Sequence, residues 1–364
     1  MTSSYGRESR VFAFPSSDFG LPICEDIDAS RIVQTVFEFE KPATDPTLAR
    51  ELHGPLAALT RQGVRLGTSS WKYPGWLDSF YRRDRYSLRG RFSGKRFEEE
   101  CLSEYAKTFP TVCVDAAYYM YPSRQTLDPL MAATPPDFQF AFKVTDEITV
   151  KRFPQLARFG ARAGQQNGGF LQADLFVRRF LEPLEQYKEK VGPLIFEFSR
   201  FSPTEYPTAA EFVQVLEPFL CGLPGGWRYG VEIRNREFLV SEYFRCLARS
   251  GVAHVFNAWE AMPPLAEQLD HPDSRTAAWS AARLLLKPGR RYEEAVRAFQ
   301  PYTELKDPYP EGRAAAVRLV LESLQLPDRR QAFMYVNNRF EGSALKTIVA
   351  ILAAVAALPG KADS

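Results

Sequence analysis

The feature that most constrains the fold of this chain is a repeated alternation of short β-rich runs with longer helical patterns after residue 63. The first run reads VRLGTSS and the last reads FMYVNN. Amphipathic stretches, such as residues 170–190 and 208–220, lie between the runs. The runs cover residues 64–70, 111–119, 138–144, 193–199, 229–234, 252–257, 282–287 and 333–338.

Strands that alternate with helices favour a parallel sheet. Eight strand–helix units predict a closed TIM (β/α)8 barrel, which is an α/β fold that a chain of this length can form as one domain. We assign residues 63–360 to this barrel and residues 1–62 to an irregular N-terminal extension with a short helix near 46–62. An open doubly wound sheet is the alternative, and the lack of a G-x-G-x-x-G sequence after a strand weakens its nucleotide-binding form.

Charge and cysteine content exclude several broad classes. The 364 residues carry a formal net charge of +2, which gives no general reason to expect a nucleic acid or a membrane surface as partner. Five scattered cysteines without a C-x-x-C sequence are typical of reduced thiols in a cytosol. The longest apolar run, residues 348–358, is too short to span a bilayer and is predicted to be a buried final helix. We therefore expect a soluble, cytoplasmic protein.

Three carboxylates stand near the ends of predicted strands, where a (β/α)8 barrel places its chemistry. They are Asp115, Glu197 and Glu232, and apolar residues flank the two glutamates on both sides. A charged side chain inside an apolar strand is costly to bury unless it is paired. We predict that the three converge at the barrel mouth, and a purely structural network of ion pairs is the alternative.

The carboxylates suit two chemistries. One member of a carboxylate pair can act as a general acid when its neighbour raises its pKa, while the other acts as a base. The same three residues are candidate ligands for Mg²⁺ or Mn²⁺, which prefer oxygen donors. Zinc is disfavoured, because the chain has three histidines and no H-E-x-x-H sequence. One of these, His254, falls inside a predicted strand and is expected to be a core residue.

Basic and amide side chains at other strand ends predict a polar, anionic ligand. An arginine such as Arg234 can hold a carboxylate or a phosphate with two hydrogen bonds. The mixture suits a small anionic molecule or a phosphodiester. The candidate ligand-binding residues on the strands are Lys143, Arg234, Lys287, Asn337 and Asn338.

The loop after the first strand is unusually rich in aromatic residues and reads WKYPGW. Sugars and nucleobases both stack on aromatic rings, so Trp71 and Tyr73 are candidate ligand-binding residues. Phe80 and Tyr81 are expected to pack between this loop and the next helix, and such packing is also the structural interpretation of Trp76. Cys113 is expected to be a buried, inert thiol, with a nucleophilic role as the alternative.

Six blocks, in order along the chain, resemble the DUF72 (YecE-like) family. They read GTSSWKYPGW followed by FY, VCVDAAYYMYPS, TPPDFQFAFKV, VGPLIFEFS, GVEIRNREF and YVNNRFEG. The resemblance covers residues 64–358 and implies a TIM barrel. The family has no settled function, and the likeness of its barrel to endonuclease IV and xylose isomerase is an analogy of fold.

The chain departs from the usual family pattern in ways that bear on mechanism. The family commonly reads V-E-I-N where residues 112–115 read VCVD, so the common glutamate is absent. It commonly has glutamine at the position of Glu197 and histidine at those of Asn235 and Val150. A mechanism that needs those histidines could not operate here.

The leading hypothesis is an enzyme, of hydrolase, lyase or isomerase type, that acts on a polar, anionic or sugar-like small molecule. In it Glu232 is the general base or a metal ligand, with Asp115 and Glu197 as its partners. A second hypothesis is nucleic-acid binding or phosphodiester cleavage, suggested by the basic loop 82–96 beside the aromatic segment. A third is a non-catalytic ligand-binding or scaffold protein.

Overall fold

The eight predicted strands are all present, and they close into one parallel barrel. The structure is a computed structural model that describes residues 46–325 and 331–357. Each strand pairs with the next along the chain, and the last pairs with the first, so the predicted TIM barrel is confirmed. The strands are β1 (Val64–Thr68), β2 (Thr111–Val114), β3 (Gln139–Lys143), β4 (Val191–Phe198), β5 (Arg228–Ile233), β6 (Ala253–Ala258), β7 (Trp279–Leu284) and β8 (Gln331–Val336).

The seventh strand differs most from its prediction, since β7 begins three residues before the expected start at Ala282. Its pairing with β8 starts at Trp279, opposite Gln331. The apolar residues after Leu284 misled the prediction. They lie beyond the strand, where the backbone N–H groups of Leu285 and Leu286 donate to the carbonyl of Ala258.

Helices separate the strands and cover the outside of the barrel. The long stretch at 170–190 is a short α-helix that continues through a π-helical turn, Val177–Leu181, into 3₁₀ turns over Glu182–Lys190. The basic loop contains a small hairpin, Ser87–Leu88 with Arg91–Phe92. The α-helices are α1 (Thr47–Arg61), α2 (Gly94–Tyr105), α3 (Arg124–Ala132), α4 (Asp146–Thr149), α5 (Ala173–Phe176), α6 (Ala209–Cys221), α7 (Ser241–Arg249), α8 (Leu265–Asp270), α9 (Tyr292–Phe299), α10 (Pro310–Gln325) and α11 (Ala344–Ala357).

Helix α1 lies in the range predicted for a short helix and packs on β1 and α11. Its buried face is formed by Leu52, Leu56 and Leu59. The rest of the predicted extension, residues 1–45, lies outside the described residues. Within the described part of the chain, no helix is both long and apolar enough to cross a bilayer.

The core has two layers. A large one lies between the strands and the surrounding helices. A smaller one fills the barrel interior and consists of Cys113, Ala141, Ile195, Val255, Ala281, Phe333 and Tyr335. Because side chains alternate along a strand, residues two positions further on share the inward face. The interior layer therefore determines which side chains line the mouth.

Candidate functional site

A layer of charged side chains lies directly above the apolar barrel interior. Asp115, Lys143, Glu197 and Arg283 each follow an interior residue by two positions, which brings them to the mouth. Their carboxyl-terminal place on the strands is the usual site of chemistry in this fold. The mouth cluster is defined as Asp115, Lys143, Glu197, Glu232, Arg234 and Arg283.

Glu197 and Glu232 are the buried centre of the mouth cluster. Glu197 Oε2 lies 2.7 Å from Lys143 Nζ and 3.3 Å from Arg234 Nη2. Glu232 uses both oxygens, with Oε1 2.5 Å from Arg234 Nη2 and Oε2 2.9 Å from Arg283 Nη1. Glu197 Oε2 also lies 3.4 Å from Arg283 Nη1, so Glu197 contacts three cations and Glu232 contacts two. The pairing that makes burial tolerable is therefore present.

Asp115 is bound from one side by Arg283, whose Nη2 lies 2.7 Å from Asp115 Oδ1. The side chain of Asp115 is 19% exposed, whereas the Glu232 side chain is fully buried. Three carboxylates meet three cations in the mouth cluster, so their formal charges cancel. These contacts are the ones expected if the three carboxylates converge at the mouth. They are also the ones expected of a structural network of ion pairs.

The cations determine the protonation of Glu197. Burial by itself would raise the pKa of Glu197, but Lys143, Arg234 and Arg283 outweigh it and hold the pKa well below its ordinary value. For Arg283, burial opposes the charge, while Asp115 and Glu232 favour it, so its pKa is raised well above the ordinary value. Glu197 is therefore an ionised anchor for the cations and a poor proton acceptor.

Two cavities open at the mouth and share Asp115, Tyr119 and Arg339. The cluster cavity has a volume of about 270 Å³ and lies over Lys143, Glu197, Arg234 and Arg283. The aromatic cavity has a volume of about 400 Å³. Aromatic rings on its wall belong to Trp71, Tyr73, Tyr119 and Tyr302.

The aromatic loop after β1 contributes both to the wall of the aromatic cavity and to packing. Trp71 and Tyr73 line the aromatic cavity, while Trp76, Phe80 and Tyr81 are buried. The hydroxyl of Tyr81 donates to the carbonyl of Trp71 at 2.6 Å, which fixes the loop above the barrel. The predicted packing of Phe80 and Tyr81 is therefore confirmed, and ligand binding by Trp71 and Tyr73 stays a prediction.

The donor set does not fit a divalent metal. Every carboxylate of the mouth cluster already accepts from a guanidinium or an ammonium group. Among the residues described, no group of three or more His, Cys, Asp or Glu side chains is arranged to hold a metal ion. Mg²⁺ or Mn²⁺ would have to displace arginines from between the carboxylates, and no step is assigned to a metal here.

Sequence comparison identifies the family to which this barrel belongs. The profile described as "Protein of unknown function DUF72" matches residues 65–362, which is most of the chain. The chain belongs to the DUF72 family.

A curated relative resembles part of this chain in sequence. UPF0759 protein YecE, from Escherichia coli K12 and from strain O157:H7, is 23% identical over 176 residues, or 48% of this chain and 50% of YecE. The chain thus spans about half the length of the curated relatives it matches.

Crystal structures of two DUF72 family proteins share the fold. One, from Enterococcus faecalis V583, is 17% identical with a TM-score of 0.54, and the match covers 82% of this chain and 100% of that one. The other, from Thermotoga maritima MSB8, is 19% identical with a TM-score of 0.52, over 80% of this chain and 99% of that one. At these identities the likeness supports the barrel and not a shared activity.

Arg283 is a site residue of this DUF72 barrel that the sequence analysis missed. The seventh run was taken to end at Lys287, which placed that lysine at the strand end. In the structure Lys287 Nζ lies 3.5 Å from Asp307 Oδ2, and Lys287 contacts no member of the mouth cluster in the salt bridges of the described residues. The signal for Arg283 is a charge flanked by apolar residues within a strand, the same signal that points to Glu197 and Glu232.

The two asparagines after β8 organise the DUF72 loop that follows. Asn337 Oδ1 accepts the backbone N–H of Arg339 at 3.0 Å. Asn338 Oδ1 accepts the N–H of Ala344 at 2.8 Å, at the start of α11. Neither residue lines the two cavities, so the contacts place both in support of the loop that carries Arg339.

Proposed function

We propose that the protein is an enzyme that binds a small anionic molecule in the cluster cavity and transfers a proton through Asp115. The observation that carries this proposal is the position of Asp115. It is the one carboxylate of the mouth cluster that both contacts Arg283 and lines both cavities.

The charge of the cluster cavity supports an anionic ligand. Its lining includes the basic residues Lys143, Arg200, Arg234, Arg283 and Arg339. It also includes the acidic residues Asp115, Glu197 and Glu260, so the lining has two positive charges in excess. Glu232, which contacts Arg234 and Arg283 from beneath the cavity, reduces this excess to one. A positively lined cleft with low-dielectric walls attracts anions and strengthens their binding.

Arg234 supplies donors for such an anion. The side chain is 5% exposed, and its Nε and Nη1 have no hydrogen-bond partner within the described residues. Unpaired buried donors are costly and call for a partner. The Arg234 Cζ atom also lies 4.1 Å from the centroid of the Trp259 ring, a cation–π contact that favours this position of the guanidinium. A carboxylate or phosphate oxygen would satisfy these donors.

Asp115 takes the role of general base that the sequence analysis gives to Glu232. Glu232 is fully buried between two arginines and lines neither cavity. Asp115 keeps one oxygen on Arg283 and has its remaining surface at the junction of the cavities. A base must reach the proton that it removes, and Asp115 is the carboxylate of the cluster whose exposure allows this.

Tyr119 is the proton donor that the geometry offers beside Asp115. It lines both cavities, and burial is the main cause that raises its pKa to about 12. The phenol is therefore protonated at neutral pH and can donate to an oxygen of the substrate. Asp115 would take the proton from carbon or hydroxyl, and Arg283 would hold the carboxylate in place.

Proton exchange tests this proposal without a known substrate. The protein is incubated in D₂O with a panel of sugar phosphates and hydroxy acids, and deuterium incorporation is followed by NMR. We expect incorporation into at least one compound and a loss of about 100-fold or more in Asp115→Asn. Asp270→Asn is the matched control, because Asp270 is an exposed carboxylate at the end of α8 and lines neither cavity. Undiminished exchange in Asp115→Asn would refute the assigned base.

The alternatives receive less support from the contacts. In the basic loop, Arg82, Arg83, Lys95 and Arg96 each pair with a carboxylate, which reduces the positive charge available to a nucleic acid. Binding to DNA or RNA with a steep salt dependence would revive that reading. Binding of anions without any exchange in the panel would favour a non-catalytic role.

A further inference from the structure

We infer that the aromatic cavity is a subsite for a sugar ring, so that the ligand is a sugar carrying an anionic group. This inference rests on the proposed function, because the anionic group is placed in the cluster cavity. It adds the part of the ligand that the mouth cluster does not contact.

Two distant segments build the aromatic cavity. The loop after β1 contributes residues 69–75, and residues 300–302 close the cavity from the other side. A Cβ built on Gly75 would lie 1.9 Å from the carbonyl oxygen of Pro301, so the two segments touch at a glycine. A cavity of about 400 Å³ is within the usual size range of small-molecule sites.

Two residues that line the cavity each carry a buried polar atom without a partner. Ser69 is 2% exposed and Trp71 is 7% exposed. Ser69 Oγ and Trp71 Nε1 have no hydrogen-bond partner in the part of the chain that is described. An indole N–H can only donate, and a buried one usually has an acceptor. A ligand with ring oxygens and hydroxyl groups supplies acceptors for both atoms.

The cavities are arranged for one ligand that spans them. Asp115, Tyr119 and Arg339 belong to both linings. A molecule whose anionic group lies near Arg234 would therefore extend past Asp115 into the aromatic cavity. The carboxylate of Asp115 would then face the carbon and hydroxyl groups between the anionic group and the ring.

The geometry favours a sugar over a nucleobase. A flat base stacks best on an open ring face or between parallel faces. Tyr73 and Tyr302 meet edge to face at 78°, with centroids 5.7 Å apart, and Tyr73 is tilted 45° from Trp76. Carboxylates of Asp115 and Glu98 add acceptors for hydroxyl groups. A wall of mixed edges with acidic acceptors suits a hydroxyl-rich ring.

Calorimetric titration of the full chain tests the inference. The probes are inorganic phosphate, aldose and ketose phosphates of three to six carbons, the matching free sugars, and AMP. We expect at least one sugar phosphate to bind about tenfold or more tightly than phosphate. Ser69→Ala and Trp71→Phe should each weaken that binding by about five- to tenfold, since each removes one hydrogen bond, while phosphate binding stays unchanged.

Variants separate this inference from the proposed function. Arg234→Gln should weaken both phosphate and sugar phosphate, whereas Trp227→Phe, outside both cavities, should change neither. Thermal melts establish whether each variant folds. If Trp71→Phe does not fold, Ser69→Ala alone tests the ring subsite.

Each remaining result decides against at least one of the two claims. Phosphate that binds as tightly as every sugar phosphate overturns the ring subsite and leaves the anion site intact. Tighter binding of AMP than of any sugar phosphate overturns the choice of a sugar. Failure of all anions to bind overturns both claims.

Discussion

At the scale of single residues, burial decides which titratable groups are chemically available. His254 on β6 is fully buried, and the Tyr243 hydroxyl lies 3.2 Å from its Nδ1. Burial lowers the pKa of His254 to about 3, so the imidazole is neutral in the folded protein. The sequence analysis expected a core histidine, and this residue is one.

The pH dependence of stability follows from His254. Its ordinary pKa is about 6.5, so the unfolded chain binds a proton below that pH while the folded one does not. Stability from this residue is present above pH 6.5 and is lost as pH falls toward 3. We expect the urea-derived free energy of unfolding to fall by about 1 kcal/mol per pH unit between pH 6 and 5.

A variant isolates that contribution. His254→Leu should remove most of the slope, and His53→Leu, on the exposed face of α1, should leave it unchanged. An unaltered slope in His254→Leu would mean that other groups cause the pH dependence.

Cys113 gives a second prediction for a single residue. Burial raises the pKa of its thiol well above the ordinary value, and Sγ lies 3.5 Å from Asp115 Oδ1 as a donor. We expect iodoacetamide at pH 8 to modify the exposed Cys221 and to leave Cys113 unmodified in the folded protein, as peptide mass spectrometry would show. Rapid modification of Cys113 would restore the nucleophilic role.

At the scale of elements, strand order and inward faces were predictable, while strand ends were not. Strands from β1 to β8 follow the eight sequence runs, because alternating strands and helices favour a parallel sheet and eight such units are the number that closes a (β/α)8 barrel. The end of β7 was misplaced because Leu285 and Leu286 are as apolar as a strand. Because of that error, Lys287 was predicted at the barrel mouth in the place that Arg283 occupies.

Gly67 shows how tightly β1 fits against β2. A Cβ at this position would lie 2.1 Å from the carbonyl oxygen of Thr111. The backbone of Thr111 belongs to β2 and cannot move away without a cost in free energy. We expect Gly67→Ala to lower the free energy of unfolding by about 1–3 kcal/mol in urea titration.

Gly54 in α1 is the matched control for Gly67, since a Cβ there meets nothing within 4 Å. Gly54→Ala should raise stability by about 0.5–1 kcal/mol, because alanine is the better helix former. The same sign for both substitutions would contradict the close packing of β1.

At the scale of the whole molecule, the mouth cluster ties together five of the eight strands and their ends. Convergence of Asp115, Glu197 and Glu232 was predictable from charges in apolar strands. The partners were not, because pairing depends on the barrel register that brings Arg283 beside Glu232. Sequence alone could not show that Asp115 is partly exposed while Glu197 and Glu232 are enclosed.

Charge balance in the mouth cluster predicts non-additive effects on stability. Glu232→Gln removes one of the two carboxylates that Arg234 and Arg283 share and should cost about 3–5 kcal/mol. Arg283→Met should cost a similar amount, and the double variant should cost less than the two together. A double-mutant cycle from urea unfolding measures this coupling, and strict additivity would contradict it.

The neutrality of the mouth cluster also has a consequence for how this protein can change over generations. A relative with an uncharged residue at the position of Glu197 carries one negative charge fewer beside three buried cations. Such a change is tolerable when a cation at the position of Lys143, Arg234 or Arg283 is lost as well. Substitutions in the mouth of DUF72 barrels should therefore occur as compensating pairs. An alignment of family members should show them as correlated replacements at these positions.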